Sequence, residues 1–229
     1  MSSLRFYHVS RDGSDIYLFS NDAIRENVDA AITLPHSGDC LIYEPWDNRL
    51  YRGEVKDGVF HLRLEKGNML FLLFGGEIPT ELPLLSHEVR RIPLPLSFEI
   101  AVREEEDDEF RVIATDSEPF DISAPNHFPH FSGNIRYRAE FAAQDGYSVL
   151  DLGDVGEVAE VWLNGYYLGA RIGAPYKFDM SPSLQSENNR LEIVVKSNLA
   201  HRRRDRLSGF IQIPPSGITG EFSLCRYEP

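Results

Sequence analysis

One stretch of the 229-residue chain concentrates side chains that recognition chemistry uses. Trp162, Tyr166, Tyr167 and Tyr176 fall there together with Asn164 and Arg171. An aromatic face stacks on the C–H side of a sugar ring, while a planar amide or guanidinium takes paired hydroxyls. The six form a candidate carbohydrate-binding set. They also have a structural use, with Trp162 and one tyrosine in a core and Asn164 in a turn. Trp46, in Glu44-Pro45-Trp46-Asp47-Asn48, is a loop aromatic that could stack on a ligand or lid its own core.

Catalytic chemistry has no comparable focus. Glycoside hydrolysis takes two carboxyl groups about 5–5.5 Å apart for retention or about 6.5–9.5 Å apart for inversion. The chain has 36 acidic residues, but most sit in turns or at outward strand positions. Glu140 and Glu160 read as a solvated sheet face, so no catalytic residue is assigned. No Gly-x-Ser-x-Gly elbow, Walker loop or Gly-x-Gly-x-x-Gly opening a helix appears. Asp151, Asp154 and Asp179 are candidate carboxylates for calcium, without the spacing of a calcium loop. Cys40 and Cys225 make no Cys-x-x-Cys and read as two buried free thiols. The basic run Arg202-Arg203-Arg204-Asp205-Arg206 can take carboxylates bidentately, and reads as an inter-domain contact or a solvated loop.

The elements that must position these residues follow a period of two. Phe60, Leu62 and Leu64 alternate on one face of Val59-Phe60-His61-Leu62-Arg63-Leu64-Glu65. After the Lys66-Gly67-Asn68 turn, Met69-Leu70-Phe71-Leu72-Leu73-Phe74 is an unbroken apolar run closed by Gly75-Gly76, read as a fully buried strand. Ile135, Tyr137, Ala139 and Phe141 are expected inward, with Arg136, Arg138 and Glu140 outward. Asn164-Gly165 between β-rich flanks signals a hairpin. The run Glu104-Glu105-Glu106-Asp107-Asp108-Glu109 is expected at a solvated hairpin tip. Ser181-Pro182-Ser183-Leu184 alone looks helical, with Ser181 as N-cap. Residues 79–97 carry Pro79, Pro83, Pro93 and Pro95, poor strand or helix material. The expectation is an all-β chain of two β-sandwich domains, 1–92 and 93–229.

Composition bounds the partners. A hydrophobic share of 42% is ample for real cores, and a net charge of −13 argues against a nucleic-acid binder, which needs a basic face. No apolar run approaches the roughly 20 residues of a membrane span, and no signal peptide is visible at Met1-Ser2-Ser3-Leu4; a complete chain would be cytoplasmic. A (β/α)8 barrel takes about 250 residues, so the chain cannot hold one beside anything else.

Residues 131–224 resemble the galactose-binding-like sugar-binding domain of large glycoside hydrolases. The pieces run in order: Phe131-Ser132-Gly133-Asn134-Ile135-Arg136-Tyr137, Leu150-Asp151-Leu152-Gly153-Asp154-Val155, Ala159-Glu160-Val161-Trp162-Leu163-Asn164-Gly165 with Leu168-Gly169, Ala174-Pro175-Tyr176-Lys177-Phe178-Asp179-Met180, and Asn189-Arg190-Leu191-Glu192-Ile193-Val194-Val195. The series is similar to modules of family 2 β-galactosidases and family 106 α-L-rhamnosidases. The first domain resembles, more loosely, a β-sandwich that follows the catalytic barrel in such enzymes. Two departures stand out: His201 and the arginines after it where an Asn-Arg pair is usual, and Glu221 where a proline is usual.

The resemblance implies a jelly roll and a non-catalytic, accessory or carbohydrate-binding portion of a glycoside hydrolase. Its partners would be the remainder of that polypeptide and a carbohydrate, and it implies no cofactor apart from the calcium weighed above. The alternatives are a freestanding lectin-like module and a structural assembly protein.

Overall fold

The structure is a computed structural model and describes residues 4–23, 26–203 and 213–228. Among these residues there are strands and turns but no helix, as the period-two patterning predicts. The chain divides into two compact units, one running to His87 with Glu228 added, the other Glu88–Tyr227.

The first unit has seven strands: β1 (Leu4–Arg11), β2 (Ser14–Asn21), β3 (Val28–Thr33), β4 (Gly38–Glu44), β5 (Arg49–Val55), β6 (Val59–Leu64) and β7 (Met69–Phe74). Five form an antiparallel sheet ordered β1-β2-β7-β4-β5, and β3 pairs with β6. Phe60, Leu62 and Leu64 point inward together, as expected, against Tyr17, Phe19, Cys40, Ile42, Leu70 and Leu72 of the larger sheet. β7 differs from the expected fully buried strand: Leu70, Leu72 and Phe74 are buried, while Met69, Phe71 and Leu73 are half-buried. One side of its sheet faces the core and the other is partly open, so apolar residues there follow from position rather than complete burial.

The second unit adds β8 (His87–Pro93), β9 (Phe98–Glu104), β10 (Arg111–Ser117), β11 (Gly133–Phe141), β12 (Val149–Asp151), β13 (Val155–Gly156), β14 (Val158–Leu163), β15 (Tyr166–Arg171), β16 (Lys177–Asp179), β17 (Asn189–Lys196), β18 (Gly217–Ile218) and β19 (Ser223–Glu228). A six-stranded sheet, β10-β9-β11-β17-β14-β15, and a four-stranded one, β16-β12-β19-β8, share one core, with β13 and β18 as a small pair. Ile100, Ile135, Tyr137, Val161, Leu163, Ile193 and Val195 enter it from the larger sheet, and Leu150, Phe178 and Leu224 from the smaller. Each such side chain contributes about 1.5–3 kcal/mol through burial.

Two further sequence expectations need correcting. Residues 87–93, within the proline-bearing stretch, form a strand. β8 is the outermost strand of its sheet, where a proline costs no ladder bond. Residues 181–184 form a turn, not a helix: the Leu184 and Ser183 amides both donate to the Met180 carbonyl, and Asp179 rather than Ser181 accepts at its start. The acidic residues 104–109 do link β9 to β10 and are exposed.

The closing segment docks despite Glu221. Ile218 pairs with Val155, its amide donates to the buried Tyr137 hydroxyl at 3.1 Å, and β19 pairs with β12. Gly217 is required there, at φ 96°, because a Cβ would stand 2.3 Å from the Tyr137 oxygen.

Candidate functional site

The Asn164-Gly165 turn joins β14 to β15, with both residues at positive φ (53° and 82°), as a type I′ turn requires. Alternation on β14 buries Ala159, Val161 and Leu163 and turns Trp162 to the outer face of the six-stranded sheet, half-buried. Trp162 is absent from the core, so the structural use considered for it does not apply.

Register then sets Trp162 in a row. Arg138 of β11 is opposite Glu192 of β17, Glu192 opposite Trp162, and Trp162 opposite Tyr167 of β15. The two rings lie 5.1 Å apart at 43°, and Arg138 Nε donates to Glu192 at 2.6 Å. Glu140 faces Arg190 in the adjacent row, at 3.5 Å. A hollow of about 520 Å³ lies over Arg138, Glu140, Trp162, Gly165, Arg190 and Glu192. A second, about 670 Å³, shares Glu140, Gly165 and Arg190 with it and extends over Asn164, Gln185 and Asn188. Together they make one open trough on the sheet face.

The remaining residues of the candidate set are placed differently. Asn164 is engaged inside the protein: its amide donates to the Ser183 carbonyl and to Asn189, and its oxygen accepts from the Arg190 amide. The fully buried Asn189 bonds Gln185 twice and the Phe141 carbonyl once. This amide pair braces the turn from beneath. Tyr166 and Tyr167 are exposed on β15, the edge strand. Arg171 lies over the Phe178 ring at 5.3 Å. Tyr176 is in the core, where its hydroxyl donates to the Glu157 carbonyl and burial pushes it up to about 12.

The three aspartates proposed for calcium do not converge. Asp151 is buried and bonded to Arg91 and the Gly153 amide, the Asp154 carbonyl accepts from Thr219 and Gly220, and Asp179 accepts from Ser181. Among the described residues no group of three His, Cys, Asp or Glu is arranged to hold a metal. Arg202 reaches Glu106 at 3.2 Å; Arg204, Asp205 and Arg206 lie outside the described residues.

Two titratable clusters were not apparent in the sequence. On the four-stranded sheet, Lys177 Nζ donates to Glu88 at 2.6 Å and to the Tyr227 hydroxyl at 2.9 Å, while Arg91 binds Glu88 with two nitrogens and Asp151 at 2.8 Å. Burial opposes the Glu88 charge, but hydrogen bonds from Arg91 and Lys177 outweigh it and bring the carboxyl down to about 2. In the first unit, Asp15 bonds His8 at 2.8 Å and lies 3.5 Å from His36; the His8 bond holds it below its ordinary value. Both carboxyls move opposite to the direction a general acid requires. No local signal marks either cluster, because Lys177 and Asp151 reach Glu88 and Arg91 of β8 from other strands, and His8, Asp15 and His36 come from β1, β2 and the loop before β4.

No protein-family model and no curated protein matches the chain. Among solved structures it is similar to a rhamnosidase from Novosphingobium sp. PP1Y, at 20% identity and a TM-score of 0.68, covering 96% of this chain and 24% of that one. A β-glycosidase from Bacteroides vulgatus is 20% identical over 59% of this chain and 20% of that one, with a TM-score of 0.39. A family 86 β-porphyranase from Bacteroides plebeius is 8% identical over 100% of this chain and 37% of that one, at 0.29. The last two scores carry no argument. The first shows a fold that a glycoside hydrolase chain contains, and this chain spans about a quarter of that chain's length.

Proposed function

We propose that the chain is the non-catalytic β-sandwich portion of a glycoside hydrolase, scaffolding or completing the sugar site of a barrel it does not itself contain. The second unit would be the galactose-binding-like jelly roll of that assembly. The observation that carries the reading is the likeness to the rhamnosidase over 96% of this chain but 24% of that one. The carboxyls support it: Glu88 and Asp151 are locked to Arg91 and Lys177, and Glu140 is exposed and faces Arg190. The purified chain should turn over no aryl glycoside. Turnover that disappears when one of its own carboxylates is changed would overturn the reading. A second reading, a freestanding lectin-like module, is favoured by the outward placement of Trp162 and Tyr167.

A further inference from the structure

We infer that the trough on the outer face of the six-stranded sheet binds a run of several sugar units of a neutral polysaccharide. This deepens the carbohydrate reading above and rests on it. The platform is Trp162, which lines the trough, with the exposed Tyr167 ring 5.1 Å from it on the neighbouring strand. An indole half-buried on a sheet face is held by its strand and keeps one surface for C–H stacking. Arg138, Glu192, Arg190 and Glu140 stand beside it as two guanidinium–carboxylate pairs, and Gln185 and Asn188 line its far end. Each pair offers planar donors beside acceptors, which suits vicinal hydroxyls.

Charge balance selects the ligand class. Each guanidinium of the trough faces a carboxylate of its own, so the lining has no net charge to attract a uronate or a sulfate ester. The adjoining Lys196 is likewise matched, by Glu160 at 2.8 Å. The dimensions select a chain over a single ring. Strands lie about 4.7–4.9 Å apart, so the row from Arg138 to Tyr167, which crosses four strands, is about 14 Å long. The trough is also open above the sheet, leaving room for a chain rather than a single enclosed ring. A terminal sugar would need a closed end wall.

The test is calorimetric titration of the full chain with neutral gluco-, xylo-, manno-, galacto- and rhamno-oligosaccharides of several units. Oligogalacturonate and a sulfated galactan serve as charged counterparts. At least one neutral series should bind, more tightly as units are added, with an affinity insensitive to added salt. Trp162→Ala should weaken it at least about tenfold. Arg190→Ala and Tyr167→Ala, at exposed positions where folding is not in question, should each weaken it several-fold. Three results would overturn the inference: a flat titration across the panel, binding indifferent to all three substitutions, or a salt-sensitive preference for the charged glycans. A flat titration that accompanies tight capture of a protein partner by the same face would overturn it in favour of a docking surface. None of these outcomes bears on the scaffold reading, which is tested separately, by turnover and by the size of the natural polypeptide.

Discussion

Asn189 shows how much of the site's geometry is fixed by one buried amide. It has no solvent exposure, and its two polar atoms bond Gln185, Phe141 and Asn164. Asn189→Ala removes all of these bonds at once; the one to the Phe141 carbonyl lies in the interior, where an unpaired group costs about 1–3 kcal/mol, and the others are partly buried. Chemical denaturation should show a loss of roughly 3 kcal/mol, and Trp162 should lose its place because the turn beside it is no longer braced. Cys40 and Cys225, free and buried, have thiols pushed up by burial to about 11 and about 12. Neutral buried thiols are poor nucleophiles; a colorimetric thiol reagent should find neither in the native protein and both after unfolding. Glu88 sets an acid limit. Its folded value, about 2, lies below its ordinary 4.5, so unfolding takes up a proton between those values and stability falls with pH across that window. The contribution is whole above pH 4.5 and gone below about 2, with an upper size of roughly 3 kcal/mol. Urea midpoints followed from pH 5 downward should slope less steeply in Glu88→Gln.

At the scale of elements, two glycines of the second unit make opposite demands. Gly165 has a positive φ but open space around it, so Gly165→Ala should cost only about 1 kcal/mol, through strain. A Cβ on Gly156 would stand 1.8 Å from the Pro215 carbonyl oxygen, so Gly156→Ala must separate β13 from the segment before β18 and should cost several-fold more. Paired denaturation curves decide the ranking. The same contrast explains what was legible in the sequence. β6, β11, β14 and β17 were, because alternation is written in adjacent residues, and so was the Asn164-Gly165 turn. β8 was not, because Pro93 and the prolines around the strand signal a breaker and only its edge position makes Pro93 tolerable. The trough was half legible. Trp162 and Tyr167 stand out by type, but Arg138, Glu140, Arg190 and Glu192 join them through register between β11, β17 and β14, which no local pattern encodes.

At the scale of the whole molecule, the chain has two sandwich-type cores, and its fold matches about a quarter of a rhamnosidase chain. The scaffold reading then makes a claim about size. An antibody raised against this chain, used on an extract of the source organism, measures the mass of the natural polypeptide directly. The account predicts a protein longer than these 229 residues by at least the roughly 250 of a catalytic barrel. A band at 26.1 kDa, with nothing larger carrying the epitope, would contradict it.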